Sequence, residues 1–138
     1  MTNRIKGSCL CGTVTFEITA PVNKFYICHC SRCRKSSGSA NAANLFCSLE
    51  SFAWRSGESV IKQFELSSAR YFNRAFCGEC GVPTPRRAKS GSFMIVPAGS
   101  LDDDPGIRPR YNIFWESRAP WYEEGCAAEA AIGYPKGF

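Results

Sequence analysis

Seven of the nine cysteines in this chain stand in three tight clusters, and their spacing constrains the fold more than any other feature of the sequence. The clusters are Cys9/Cys11, Cys28/Cys30/Cys33 and Cys77/Cys80. A secreted chain could use nine cysteines as a disulfide framework, but the count is odd and the first residues carry no apolar export signal. Separations of one or two residues suit a metal better. We therefore predict bound zinc in a reducing compartment, with the cytoplasm as the location.

The remaining composition is that of one globular domain. The chain has 138 residues, of which 44% are hydrophobic and 21% are charged, and this length supports a single hydrophobic core. No apolar run approaches the roughly 20 residues that a membrane helix needs. We expect one zinc-binding domain over residues 1–138, without membrane association.

The formal charge of +5 raises the question of nucleic-acid binding. It falls to +2 once the seven clustered cysteines are counted as thiolates that hold two zinc(II) ions. The densest basic groups, residues 32–35 and 86–89, are short. These charges favour a small anionic ligand over a nucleic acid, and a nucleic-acid-binding zinc ribbon is the weakest of the hypotheses.

Short β-branched and aromatic segments, bounded by Gly, Pro or Ser, predict an all-β fold of antiparallel sheets. Val14, Phe16 and Ile18 alternate with polar residues at the period of a half-buried strand. Further strands are predicted at residues 24–30, 45–49, 60–66, 70–76, 93–98 and 111–115. Ser31 is predicted to cap a helical turn that runs to residue 35. Residues 36–44 are predicted to form a loop, and residues 123–132 the one longer helix.

The cysteine spacings suggest two kinds of metal-binding device. In a strand, residues two apart point to the same side, so Cys9 and Cys11 form one sulfur pair, and Cys28 and Cys30 form another. Residues 77–81 read Cys-Gly-Glu-Cys-Gly, a tight knuckle whose glycines allow the backbone to wrap around a metal.

Two groupings of these sulfurs are compatible with the spacing. Structural zinc takes four protein ligands, whereas catalytic zinc commonly has three. Joining Cys9 and Cys11 to the knuckle closes a four-sulfur site and leaves Cys28, Cys30 and Cys33 as an open three-sulfur site. The alternative joins Cys30 and Cys33 to the knuckle as a zinc ribbon, which leaves the other three cysteines for different roles.

Three cysteine motifs follow one another along the chain with strands between them. They are Gly7-Ser8-Cys9-Leu10-Cys11-Gly12, Cys28-His29-Cys30-Ser31-Arg32-Cys33-Arg34-Lys35 and Arg74-Ala75-Phe76-Cys77-Gly78-Glu79-Cys80-Gly81. In this order they resemble the motifs of the glutathione-dependent formaldehyde-activating enzyme family, whose relatives include centromere protein V. The resemblance implies a β-tent of antiparallel sheets. It also implies a structural zinc on Cys9, Cys11, Cys77 and Cys80, and a second zinc on Cys28, Cys30 and Cys33.

The resemblance further implies a carbon–sulfur lyase that interconverts S-(hydroxymethyl)glutathione with glutathione and formaldehyde. A zinc held by three cysteines could bind an incoming thiol as thiolate, so Cys28, Cys30 and Cys33 are the candidate catalytic residues. Glutathione is anionic, and the candidate substrate-binding residues are the cations that flank these motifs: Arg34, Lys35 and Arg74. The alternative hypothesis is a non-catalytic zinc scaffold for a protein or peptide partner.

His29 is the single histidine of the chain. If the predicted strand continues to Cys30, His29 points away from Cys28 and Cys30, which argues against a role as fourth ligand. We expect a hydrogen-bonded, partly buried histidine, and a proton shuttle is the alternative.

Overall fold

The computed structural model describes residues 3–138, and within them ten strands form three sheets. The strands are β1 (Arg4–Ser8), β2 (Thr15–Thr19), β3 (Lys24–Cys28), β4 (Ala42–Ser48), β5 (Phe52–Ser56), β6 (Ile61–Glu65), β7 (Asn73–Cys77), β8 (Arg86–Arg87), β9 (Phe93–Pro97) and β10 (Tyr111–Ile113). The helices are α1 (Ser31–Ser37) and α2 (Tyr122–Cys126), with single 3-10 turns at Glu58–Val60, Ala98–Ser100 and Trp115–Ser117. The predicted all-β class is confirmed.

The largest sheet has the strand order β10-β3-β4-β9-β8, and the other two sheets have the orders β1-β2-β5 and β6-β7. All neighbouring strands are antiparallel except β10, which runs parallel to β3 and places Ile113 opposite Cys28. Parallel neighbours need a long connection, and here most of the chain lies between the two strands. The last strand therefore supports the strand that ends at the second cysteine cluster.

The main core contains buried apolar side chains from both larger sheets. Strands β1 and β2 contribute Ile5, Phe16 and Ile18, while β4 and β9 contribute Leu45 and Val96 among others. Alternate residues of each strand point into this core, which is the pattern expected for half-buried antiparallel sheets. A second, much smaller core surrounds the first cysteine cluster, so the two parts of the molecule are stabilised differently.

Several predicted boundaries are wrong for identifiable reasons. The sequence does not predict β1 or β8, which carry mainly charged or exposed residues, nor β5, of which the last two residues are exposed. Residues 42–44 belong to β4 rather than to a loop, because they pair with β3 and bury Asn44. The predicted helix at 123–132 shrinks to α2, since residues 127–132 are all exposed, so that their alanines and Ile132 bury no surface that would stabilise a helix. Within residues 3–138, no helix combines the length and apolar character needed to cross a membrane.

Candidate metal centres and active site

Four cysteine sulfurs from distant parts of the chain meet beside the small second core. The Sγ atoms of Cys9, Cys11, Cys77 and Cys80 all lie within 4.8 Å of one another. The Cys9–Cys11 sulfur separation is 3.6 Å and the Cys11–Cys77 separation is 3.9 Å. Zinc–sulfur bonds of about 2.3 Å in a tetrahedron place sulfurs about 3.8 Å apart, whereas a disulfide needs about 2 Å. The four residues therefore fit a zinc ion.

A tight turn after β1 presents Cys9 and Cys11. The backbone N–H of Cys9 donates to the carbonyl of Val14 at 2.9 Å, and the N–H of Gly12 donates to the carbonyl of Cys9 at 3.1 Å. Gly12 has a φ of 80°, which favours glycine. The expected sulfur pair is present, but strand alternation is the wrong reason for it, because Cys9 and Cys11 lie in a turn.

The knuckle after β7 repeats this construction. The N–H of Cys77 donates to the carbonyl of Val82 at 2.9 Å, and the N–H of Gly81 donates to the carbonyl of Cys77 at 2.8 Å. Gly81 has a φ of 78°. Two similar turns thus face each other, and each contributes two sulfurs to one site.

Both sulfurs of the first turn have hydrogen-bonding neighbours, and those of Cys11 favour the thiolate form that binds metal. The backbone N–H of Val14 donates to Cys9 Sγ at 3.2 Å. The Thr13 hydroxyl lies 3.2 Å from Cys11 Sγ, and hydrogen bonds from Thr13 lower the pKa of Cys11 to about 6. A thiolate that accepts such bonds is stabilised relative to the thiol.

The second cluster is assembled where β3 meets α1. Cys28 is the last residue of β3, Cys30 precedes α1, and Cys33 is buried in the first turn of that helix. Their sulfurs lie within 4.8 Å of one another. Cys30 caps the helix, since its sulfur accepts the backbone N–H of Cys33 at 3.3 Å, so the predicted cap at Ser31 is wrong. Within residues 3–138, no fourth histidine, cysteine or carboxylate ligand joins this group.

Cys28 and Cys33 share a proton unequally. A hydrogen bond from the Cys33 thiol is the largest cause that lowers the pKa of Cys28, to about 6. The same hydrogen bond, together with burial, raises the pKa of Cys33 far above its usual value. A proton shared by this pair therefore rests on Cys33 rather than on Cys28.

The structure groups the cysteines as four and three. The alternative grouping, in which Cys30 and Cys33 join Cys77 and Cys80, is not the one found. The sequence alone left both groupings open, because spacing does not show which turns face each other.

His29 is fully buried, which is more than the partial burial expected. Its Nε2–H donates to the Oδ1 atom of Asn112 at 2.9 Å, and its ring packs edge-on against Trp115 and Tyr122. His29 does not belong to either sulfur cluster. Its contacts connect the Cys28–Cys30 segment to β10 and to the turn that follows it.

A cleft of about 240 Å³ opens beside the second cluster. Seven polar residues from α1, β4, β7 and β8 contribute to its lining: Cys33, Ser36, Ser37, Asn44, Asn73, Arg74 and Arg86. Because Cys33 belongs both to the three-sulfur cluster and to the cleft wall, a small molecule in the cleft lies next to the candidate metal site.

The predicted substrate-binding cations occupy different positions. Arg74, on β7, lines the cleft, whereas Arg34 and Lys35 lie on α1 and are not part of its lining. Cations near a helix C-terminus interact favourably with the helix dipole, which gives Arg34 and Lys35 a structural role as well. Arg86 and Asn73 also line the cleft and are not among the residues predicted from the sequence. The basic group at residues 86–89 was visible, but only the pairing of β8 with β9 shows that Arg86 reaches the cleft.

Comparison with known proteins agrees with the cysteine motifs. Residues 4–117 match the profile of the family described as "Glutathione-dependent formaldehyde-activating enzyme". A protein of Halomonas elongata, named "Putative glutathione-dependent formaldehyde-activating enzyme", is 30% identical over 129 residues, with 86% of this chain and 80% of that protein covered. A crystal structure of a Rhodobacter sphaeroides protein has the same fold, with a TM-score of 0.58 at 24% identity and coverage of 76% of this chain and 92% of that one. The chain belongs to the glutathione-dependent formaldehyde-activating enzyme family.

Proposed function

We propose that the protein is a zinc-dependent carbon–sulfur lyase that acts on a glutathione–aldehyde adduct such as S-(hydroxymethyl)glutathione. The observation that carries this proposal is the cluster of Cys28, Cys30 and Cys33, which offers three sulfurs and adjoins a polar cleft. Catalytic zinc sites commonly have three protein ligands, whereas structural sites have four. Membership of the family supports glutathione and formaldehyde as the reacting molecules.

The two clusters would hold two zinc ions with different roles. Cys9, Cys11, Cys77 and Cys80 would bind a structural ion, because they saturate a tetrahedral site between two turns. A zinc ion on the three-sulfur cluster would supply Lewis acidity and a coordination position for a thiolate.

The reaction requires no oxidant or reductant. In S-(hydroxymethyl)glutathione the carbon–sulfur bond breaks, and its electron pair stays on sulfur. The hydroxyl proton leaves as the carbon–oxygen double bond of formaldehyde forms, and the reverse reaction restores the adduct. The site must therefore stabilise a thiolate and accommodate the transfer of one proton.

The residues of this chain would position the adduct. Arg74 lines the cleft and would bind a glutathione carboxylate. Arg34 and Lys35, on the helix that carries Cys33, would add a positive potential that attracts the anionic substrate. His29 would position the Cys28–Cys30 segment, because its ring is enclosed by aromatic side chains and its Nε2–H is bonded to Asn112.

We place the protein in a reducing compartment such as the cytoplasm. All nine cysteines are free, and seven of them lie in clusters spaced for metal binding. Thiolate sites of this kind persist where thiols are kept reduced.

The test is whether zinc-loaded protein accelerates exchange between S-(hydroxymethyl)glutathione and its components. Exchange NMR with ¹³C-formaldehyde and glutathione measures this rate directly. We expect acceleration by the wild type and none by Cys30→Ser. Cys126→Ser, at an exposed cysteine outside both clusters, should match the wild type. Equal rates for the wild type, Cys30→Ser and buffer would reject the lyase and favour a non-catalytic zinc scaffold.

A further inference from the structure

We propose that Arg86, held in place by Asn73, is a carboxylate-binding residue of the cleft beside Cys33, so that the protein selects thiol adducts that carry a carboxylate. This inference deepens the proposed function and rests on it for the identity of the thiol. It adds a residue from a short edge strand that the cysteine motifs do not include.

One hydrogen bond to a buried asparagine holds the Arg86 guanidinium in place. Its Nε–H donates to the Oδ1 atom of Asn73 at 3.0 Å. Asn73 is only 5% exposed, and its Nδ2 donates to the carbonyl of Arg87 at 2.9 Å, so the asparagine is itself held at both ends. Among residues 3–138, the hydrogen bonds of Arg86 use Nε and not the terminal nitrogens. A fixed guanidinium with free terminal N–H groups is suited to bind a carboxylate through two hydrogen bonds.

The charges around the cleft also indicate an anionic ligand. Arg74 and Arg86 both line it, and in the part of the chain that the structure describes neither is within ion-pair distance of a carboxylate. Burial is the main cause that lowers the pKa of Arg86; negative charge on a deprotonated Cys33 would oppose this effect, and the nearby charge of Arg74 adds to it. Two like charges in one cleft repel each other, and a bound anion removes this repulsion.

Arg87 provides a matched control on the same strand. It follows Arg86 directly and carries the same charge, but its side chain is exposed and does not line this cleft. Its contact with Asn73 uses the backbone carbonyl, which a side-chain substitution leaves in place. Arg86→Gln and Arg87→Gln thus remove the same charge from neighbouring positions.

The probe is S-methylglutathione, which has both carboxylates but no free thiol. Its dimethyl ester is the reference, because it lacks both negative charges. Calorimetry with zinc-loaded protein gives the affinity ratio of acid to ester. We expect Arg86→Gln to lower this ratio about ten- to a hundred-fold, the loss typical of a charged hydrogen bond, and Arg87→Gln to leave it within about two-fold.

A measurement on the wild type does not depend on how the variants fold. The Arg86 Nε–H resonance should shift on addition of S-methylglutathione and stay unchanged with the ester. Arg86→Lys keeps the charge but loses the paired N–H donors of the guanidinium, so it should give an intermediate acid-to-ester affinity ratio. An unchanged ratio in Arg86→Gln, a silent Arg86 resonance, or no binding of S-methylglutathione to the wild type at millimolar concentration would overturn the proposal.

The probe separates this inference from the lyase. Because S-methylglutathione cannot form a thiolate, its binding does not require the exchange reaction. If the wild type does not accelerate exchange but its acid-to-ester affinity ratio depends on Arg86, the carboxylate site stands and the lyase proposal is rejected. If the wild type and Arg86→Gln accelerate exchange equally and have the same acid-to-ester affinity ratio, the lyase proposal stands and the role of Arg86 is rejected.

Discussion

Replacing Cys77 with serine should unfold the protein, because this residue connects two parts of the chain through the four-sulfur site. Cys77 ends β7, is fully buried, and lies 3.9 Å, sulfur to sulfur, from Cys11 of the opposite turn. A serine hydroxyl is a much weaker zinc ligand than a thiolate. The substitution therefore leaves three ligands where a structural site needs four.

The loss of folding free energy in Cys77→Ser is large because few other interactions stabilise the region around the four-sulfur site. The small core has one fully buried aliphatic residue, Val14, beside Cys9 and Cys77, and the other apolar side chains packed against it are only partly buried: Trp54, Val60, Ile61, Cys80 and Val82. Full burial of a valine contributes about 1.5–3 kcal/mol, whereas structural zinc binding in small domains contributes about 10–16 kcal/mol at pH 7. Total domain stability is about 5–15 kcal/mol. Loss of this zinc therefore removes as much free energy as the whole domain has.

Thermal melting by circular dichroism is the assay, with Cys47→Ser as the control. Cys47 is a half-buried cysteine on β4 outside both clusters. One kcal/mol shifts the melting temperature of a protein of this size by about 3 °C, so Cys77→Ser should show no cooperative transition above 25 °C. The reasoning would be refuted by a Cys77→Ser transition within about 5 °C of that of Cys47→Ser.

Three further results are expected. Cys33→Ser should stay folded, because the four-sulfur site remains. Mass spectrometry under native conditions should show one zinc ion fewer per chain than in the wild type. Unfolding equal to that of Cys77→Ser would contradict the division into two sites. Gly78→Ala should lower the melting temperature and the zinc content, because its methyl group would lie 2.5 Å from the carbonyl oxygen of Val60; an unchanged melt would show that the knuckle tolerates this shift. Zinc uptake at the second cluster should release protons and tighten as pH rises, because the hydrogen bond to Cys28 and burial raise the pKa of Cys33, so that zinc must displace its proton. Calorimetry in buffers of different ionisation enthalpy measures the released protons, and an affinity independent of pH would contradict this expectation.

The sequence allowed much of the site to be predicted, because metal ligation depends on residue type and spacing. The seven clustered cysteines and the glycines of the knuckle carry that information locally. The partner of each cluster could not be derived from spacing, since it depends on which two turns the sheets bring together. The family resemblance supplied the grouping that spacing left open, and the turns at Cys9 and Cys77 explain it physically.

The parts that could not be predicted depend on long-range pairing. Strand β1 has a single buried aliphatic residue, Ile5, and forms because β2 pairs with it. Arg86 looked like one member of a surface charge group, and its position in the cleft depends on the pairing of β8 with β9. Periodicity and motif spacing are local signals, and neither contains these contacts.

The most direct test of the two-site account combines zinc content with thiol binding in the wild type and in Cys30→Ser. Mass spectrometry under native conditions counts the metal, and calorimetry with glutathione reports the thiol. The account predicts two zinc ions per wild-type chain and one per Cys30→Ser chain, with folding retained and thiolate binding lost in the variant. One zinc ion in both proteins, or undiminished glutathione binding by Cys30→Ser, would contradict it.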